Sequence, residues 1–389
     1  MASKEMVVLS INVGSSSLKF ALFALAGTRE ERLAAGSIDR IGQANSQLSL
    51  RLSDGPDQKH DVAFADQEAA IVGAFDTLQA QRLPPPEAVG HRLVHGGPDH
   101  FDPVRVDAAL LEALRDAVQY APLHLPSALR AIEVVSARFP ALEQVACFDT
   151  AFHAGMPEIA RRLPLPRAIH ERGVHRYGFH GLSYEYVVSK LGAASLGRAV
   201  LAHLGSGASL AAVSGGRSID TSMGLTPTGG IMMGTRTGDL DPGVIIHLLD
   251  AGSDARALER TLDHESGLLG VSETSADVRT LLEKRAGDER AALAIDMFTY
   301  QVRKTVGAYA AALGGIDNLV FTGGIGEHAP QIRAEVCAPL AHLGIQLDPQ
   351  LNDQNAELIS TRQGACKVRV VETDEELMIA RHTARLSAG

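Results

Sequence analysis

Val7-Val8-Leu9-Ser10-Ile11-Asn12-Val13-Gly14-Ser15-Ser16-Ser17-Leu18-Lys19-Phe20-Ala21-Leu22-Phe23 places a β-branched run, a small polar cluster and a second apolar run in immediate succession. Apolar β-branched and aromatic runs bounded by Gly and Ser read as strands joined by a turn. Strands are therefore expected over 7–11 and 18–23, with the turn over 12–17. The same design recurs near mid-chain, as a strand over 199–202, the turn His203-Leu204-Gly205-Ser206-Gly207 and a strand over 208–213. Each copy then reaches a Gly-containing turn ending in Arg, Gly27-Thr28-Arg29 and Gly215-Gly216-Arg217. A repeat of this length is far too long for a solenoid and points to two related domains.

Between and beyond the copies, helical periodicity alternates with short apolar strands. Ile71, Phe75 and Leu78 share one face before Pro84-Pro85-Pro86, and Leu129, Ile132, Val135 and Phe139 share another before Pro140. Strands are expected at 88–94 and 145–148. Ile295, Phe298, Val302, Val306, Tyr309 and Leu313 follow the helical period up to Gly314-Gly315, and a strand over 319–322 comes next. This alternation indicates α/β layers with ligand loops at strand ends.

The 389 residues suggest about two to three domains at about 150 residues each. Hydrophobic residues at 45% and charged residues at 21% are globular values, and 36 basic against 46 acidic residues leave a net charge of −10. Such a balance gives no global field for nucleic acid or an acidic membrane, so neither partner is expected. Cys147, Cys337 and Cys366 are odd in number and show no CxxC spacing, arguing against a disulfide framework or a zinc site and for a cytoplasmic location. No apolar run reaches the ~20 residues of a membrane span, and residues 1–6 lack a signal-peptide profile.

Several segments carry chemistry. Asn12, Ser15, Ser16, Ser17 and Lys19 offer small polar groups and a point charge to a phosphate, although such clusters also serve as plain hairpin turns. No Gly-Lys dipeptide, GxGxxG, GxSxG or HExxH occurs. In Gly90-His91-Arg92-Leu93-Val94-His95-Gly96-Gly97 the Arg can fork onto a carboxylate or phosphate, or be an ordinary surface residue. Asp149 follows a buried strand directly and reads either as an acid at the sheet's mouth or as a helix cap. His170, His175 and His180 share no face, so no metal cluster is expected. The stretch from Asp220 to Pro242, rich in Gly, hydroxyls and acids around Arg236, resembles a mobile active-site loop. Gly323-Gly324-Ile325-Gly326-Glu327-His328 reads as a loop admitting a flat ligand against bare backbone. Thr373-Asp374-Glu375-Glu376 offers oxygen ligands to a hard cation, or caps a helix.

Taken together and in this order, the segments resemble the acetokinase family of acyl-phosphate-forming kinases across nearly the whole chain. The resemblance implies an α/β fold of two duplicated actin-like (ribonuclease H-like) domains around a nucleotide cleft. An N-terminal acyl-kinase domain would span 1–153 plus the returning helix at 377–389, and a nucleotide-binding domain would span 154–376. It implies Asp149, His180 and Arg236 as catalytic residues, with Arg92 binding the substrate carboxylate and Val94, Leu123, Phe179 and Pro227 enclosing the acyl methyl. ATP would be bound by Lys19, by His203, Leu204, Gly205, Ser206 and Gly207, by Asp277, Val278 and Arg279, and by Gly323, Gly324, Ile325, Gly326 and Glu327. Mg²⁺, or Mn²⁺ in its place, would be held by Asn12 and Glu375, and the protein would be a cytoplasmic homodimer acting on acetate and ATP.

The departures from the family pattern are specific. The family usually has Asn at the positions of Ser206 and His328, and Gly-Thr-Ser-His where Gly181-Leu182-Ser183-Tyr184 stands. The chemistry is nonetheless coherent, because a carboxylate with a pKa of about 4 is already a nucleophile at neutral pH and needs cations rather than a base. Asp149 then orients an Arg or a metal-bound water. A covalent aspartyl phosphate is an alternative route, propionate or butyrate are alternative substrates, and a non-catalytic nucleotide switch is the alternative from another functional class.

Overall fold

The computed structural model describes residues 5–14, 16–53, 55–122 and 124–388. The chain divides into two compact units, residues 1–151 with 374–389, and residues 152–373.

The first unit contains strands β1 (Met6–Val13), β2 (Ser17–Ala26), β3 (Arg29–Asp39), β4 (Gln47–Leu52), β5 (Gln58–Asp61), β6 (Ala88–Leu93), β7 (Val104–Arg105) and β8 (Glu143–Phe148). They form one sheet in the order β5-β4-β3-β2-β1-β6-β8-β7. β1 is antiparallel to β2 and parallel to β6, which is in turn parallel to β8. Successive side chains alternate between faces, so Leu9, Ile11 and Val89 pack with Ile71, Leu78, Val134 and Val135 of the helices Gln67–Ala80 and Leu125–Arg138. Val8, Ala21 and Phe23 point the other way and pack with Ala380 of the terminal helix Glu375–Ser387.

Gly90 decides how closely that helix can lie. A Cβ on Gly90 would stand 2.2 Å from Thr383 Oγ1 and 2.5 Å from Ile379 Cγ2, both in the terminal helix. A side chain there would lift the helix away from β6, and with it the acidic first turn that carries Glu375.

The second unit has strands β9 (Arg198–Leu204), β10 (Ala208–Ser214), β11 (Arg217–Thr221), β12 (Asn318–Thr322) and β13 (Lys367–Val370) in the order β11-β10-β9-β12-β13. Three antiparallel strands followed by two parallel ones repeat the β3-β2-β1-β6-β8 core of the first unit. Each unit thus carries the duplicated α/β arrangement of the actin-like class. The long helix Glu289–Ala312 buries Ile295, Phe298, Val302, Val306 and Tyr309; Leu313 is its C-cap, and Gly314 follows at φ +67°, the left-handed stop that favours glycine.

The polar turns are tighter than their sequences suggest. Asn12 and Val13 stay in the ladder opposite Lys19 and Leu18, and His203 and Leu204 stay opposite Ser209 and Ala208. Backbone pairing does not depend on side-chain polarity, so each polar cluster begins inside its strand. The segment read as an open Gly-rich loop is instead the short helix Gly323–His328, entered through Gly323 at φ +76°. No helix among the described residues is long and apolar enough to cross a membrane.

Two predictions follow from this packing. Gly90→Val should destabilise the protein by about 1–3 kcal/mol through overpacking, read as a lower urea midpoint; an unchanged midpoint would show that the terminal helix yields freely. Burial pushes His91 down to about 4, outweighing its hydrogen bond to Gln144, and does the same to His153, also about 4, outweighing its bond to the Phe179 carbonyl. An unfolded imidazole titrates near about 6.5, so between these values the unfolded chain binds protons that the folded chain refuses. Stability present above pH about 6.5 should therefore be lost progressively as pH falls towards about 4. His91→Gln should flatten that loss in urea titrations, and an equal slope in both proteins would remove His91 as a contributor.

Candidate functional site

In the first unit the polar groups gather at the ends of β1, β6 and β8. Arg92, on the same face of β6 as Gly90, makes a two-pronged contact with Asp149, Nε to Oδ1 at 3.0 Å and Nη2 to Oδ2. Its Nη1 donates to Asn12 Oδ1 at 3.1 Å, and Glu375 Oε2 lies 3.8 Å from Nε. The Asp149 side chain is only 1% exposed while that of Arg92 is 20% exposed, so the carboxylate is sealed and the arginine side chain stays partly open. Burial disfavours the charged guanidinium, but Asp149, Glu375 and Glu376 overcome that cost and hold Arg92 above its usual range. Glu376 is pushed up by burial and by its neighbour Glu375, with Lys19 acting in the opposite sense. Lys19 itself is exposed on β2, across the ladder from Asn12. Asp374 takes the capping role, accepting from Leu377 N at 3.0 Å.

In the second unit, His180 begins the helix Gly181–Leu191 at φ +59°, a left-handed conformation that costs a non-glycine residue about 1–3 kcal/mol. Its ring stacks on His203 at 4.2 Å, its Nδ1 lies 2.8 Å from Ser209 Oγ, and His203 Nδ1 is 2.8 Å from Ser183 Oγ. Arg236 donates through Nη1 to the carbonyl of Pro227 at 3.1 Å. A Cβ at Gly207 would lie 3.4 Å from His180 Nε2 and 3.6 Å from Arg236 Nη1, so both side chains converge on this turn. The loop that carries Arg236 is tied down by Gly234 N to Ser206 O at 3.1 Å and by Met232 N to Gln301 Oε1 at 2.6 Å. Those bonds, with buried Ile231, Met232 and Met233, anchor the part of the loop around Arg236.

A groove of about 560 Å³ lies against this unit, lined by Gly205, Ser206, Asp277, Val278, Arg279, Gly324 and Ile325, all named from sequence. Ala276, Leu282, Glu283, His328, Ala329 and Gln331 complete the wall. Glu327 turns inward instead, its Oε1 accepting from Gly323 N at 2.8 Å and Thr373 N at 3.1 Å, so its carboxylate braces the glycine turn. Behind it the fully buried Arg333 donates to the carbonyls of Gly326 and Glu327 at 2.8 and 3.0 Å and to Asn352 and Asn355. No sequence signal separated Arg333 from a surface helix arginine. Of the apolar residues expected around an acyl group, Val94 is buried in the first unit, whereas Phe179 is buried and Pro227 half-buried in the second. Leu123 lies outside the described residues.

The family model for the acetokinase family matches residues 7–381. The chain is 46% identical to an acetate kinase of Rhodopseudomonas palustris over 98% of its own length and 99% of that protein. Among solved structures, an acetate kinase from Porphyromonas gingivalis superposes with a TM-score of 0.87 at 37% identity, and a propionate kinase from Francisella tularensis with 0.91 at 36%. Each comparison covers 98% of this chain and 100% of the other. The matches span both units and every segment described above: the chain belongs to the acetokinase family. It is a kinase, an enzyme of the phosphotransferase class.

Removing one partner of a buried ion pair strands the other, at a cost of about 3–5 kcal/mol. Asp149→Asn should therefore lower stability by a few kcal/mol at most, since the amide keeps one acceptor, while reducing turnover at least about a hundredfold. Normal turnover in the folded variant would reduce Asp149 to a scaffold residue.

Proposed function

We propose that this protein transfers the γ-phosphoryl group of ATP reversibly to the carboxylate of acetate, forming acetyl phosphate. The observation that carries the reading is the Arg92–Asp149 pair, a guanidinium fixed by a sealed carboxylate on a side chain that is still 20% exposed. Such a group presents oriented positive charge without having to reorganise when the anion arrives. Asp149 has both oxygens engaged by Arg92, which suits an orienting acid better than a nucleophile. Arg92 binds the substrate carboxylate, and His180 and Arg236 stabilise the phosphoryl group in flight. Lys19, the turn His203 to Gly207, the Asp277-Val278-Arg279 segment and the glycines from Gly323 to Gly326 serve the nucleotide.

Asn12 and Glu375 supply hard oxygen donors on either side of Arg92, which suits Mg²⁺, an ion that keeps several waters and substrate phosphates in its shell. When bound, the ion would neutralise phosphate charge; the chain's own contribution is to hold these two oxygens close to the guanidinium.

We further propose a cytoplasmic homodimer. The helix Pro242–Asp250 buries none of its residues and leaves Val244, Ile246 and Leu249 at least 40% exposed, while Leu293, Met297 and Tyr300 form an exposed stripe on the long helix. Apolar exposure of this kind marks association surfaces. Light scattering should return twice the 41.1 kDa chain mass, and Ile246→Glu should shift it to the monomer; a wild-type monomer at micromolar concentration would remove the proposal.

Incubation with Mg-ATP, hydroxylamine and each of acetate, propionate and butyrate tests the reaction directly. Acetyl hydroxamate forming only when ATP and acetate are both present is expected, and its absence would overturn the assignment. The likeness to a propionate kinase favours a pocket near the boundary between the two acids. Val94→Ala should move the kcat/KM ratio from acetate towards propionate by about tenfold, whereas both substrates slowed equally would place Val94 in the core alone.

A further inference from the structure

Tyr184, one helical turn beyond His180, occupies a position where this chain departs from the family pattern, and strand β10 sets Ser209 between the two side chains. Ser209 Oγ lies 2.8 Å from His180 Nδ1 and 2.6 Å from Tyr184 Oη. Tyr184 and Ser209 are both 0% exposed, so neither hydroxyl can turn to bulk water. A buried phenol hydrogen needs an acceptor, and Ser209 Oγ at 2.6 Å is the oxygen beside it. The phenol's own hydrogen then goes to Ser209 Oγ. Serine has a single hydrogen to give, and with its oxygen already accepting from the phenol it gives that hydrogen to His180 Nδ1.

An imidazole that accepts at Nδ1 carries its proton on Nε2. Nε2 is the nitrogen nearest the Gly207 turn, where Arg236 also converges. We propose that Tyr184 is a positioning residue which, through Ser209, holds His180 as the neutral tautomer protonated at Nε2, so that it meets the phosphoryl group as a hydrogen-bond donor and not as a cation. The inference rests on the reading that His180 contacts that group. A cationic His180 would have to donate from Nδ1 to Ser209 Oγ, which turns the Ser209 hydrogen onto Tyr184 Oη and takes from the buried phenol hydrogen the acceptor it has here. Three titratable or charged groups stand near the relay: the Arg236 guanidinium repels a second cation, the His203 ring is stacked on His180 at 4.2 Å, and His153, edge-on to Tyr184 at 5.7 Å, is pushed down to about 4 by burial. Positive charge at the transfer point is then left to the arginines, which cannot lose it.

The relay is tested by imidazole nitrogen NMR of the full-length protein, with His180 assigned through His180→Gln. At pH 7 the wild type should show His180 neutral and protonated at Nε2, and Tyr184→Phe should add the Nδ1-protonated or cationic form. Steady-state kinetics of Tyr184→Phe should show kcat about tenfold lower with KM for ATP and acid within about twofold, the pattern of an interaction used only in the transition state. The acid limb of the kcat profile should move to higher pH. Ser209→Ala should reproduce these changes, and the double variant should be no worse than either single one. An Nδ1-protonated or cationic His180 in the wild type would overturn the proposal, as would additive losses in the double variant. If Tyr184→Phe fails to fold, the wild-type spectrum and Ser209→Ala still decide. Full turnover in His180→Ala would instead sink the phosphoryl role of His180 while leaving the tautomer measurement standing.

Discussion

A carboxylate sealed at the end of a parallel strand is stable in ionised form only against a well-placed cation, and the first unit is arranged around satisfying Asp149. Asp149 follows β8, and Arg92 sits in β6, whose register sets Arg92 beside Cys147 and Leu93 beside Phe148. The backbone continues the match one step past the strand, with Asp149 N donating to Leu93 O at 2.9 Å. Slipping that register by one residue would turn Arg92 to the opposite face, where Ile71 and Val135 pack, and take it away from Asp149. The terminal helix completes the arrangement, because its first turn brings Glu375 to the same guanidinium, and it can lie that close only over Gly90.

The second unit uses the same strand design with different means. In both hairpins the last rung is apolar, Val13 with Leu18 and Leu204 with Ala208, and the rung before it is polar, Asn12 with Lys19 and His203 with Ser209. The duplicated frame thus delivers one polar pair to the mouth of each sheet. In the first unit that pair joins an ion cluster. In the second, Ser209 and His203 serve as hydrogen-bond partners for the helix that His180 opens, and the positive φ of His180 is the local strain that aims its ring back at them.

These two styles explain what was legible in the sequence. The strands, the long helix and the duplicated turns follow from side-chain periodicity, which is written residue by residue, and the resemblance to a family supplied the candidate site. Asn12, Lys19, Arg92, Asp149 and Glu375 were named together, and the structure places Arg92 between Asn12, Asp149 and Glu375. Much of the second unit's support was not readable. Glu327 is expected to hold the nucleotide and is found bracing Gly323 and Thr373, while Arg333, which no motif singled out, holds two carbonyls of the same turn. The cause is general: a polar side chain that satisfies buried backbone groups has the same sequence signature as one that faces a ligand or solvent. The glycine-rich 323–328 segment reads as a loop with bare backbone, whereas Gly323 supplies the positive φ that starts a short helix.

The division between ion pairs in one unit and hydrogen-bond relays in the other has a consequence for the energetics of transfer. Charges that stabilise a polyanion are useful only if they are already in place, since reorganising them during reaction would cost what they contribute. Arg92 is fixed by two carboxylates and an amide oxygen of its own unit, so its orientation is maintained by the stability of the fold itself. Arg236 donates to the Pro227 carbonyl on its own anchored loop, so its direction too is set before any ligand arrives. The carboxylates that accompany Arg92 lower its net field. On the proposed reading, an arginine balanced by acids suits recognition of a singly charged acid that must later leave, because it orients the anion without holding it too tightly.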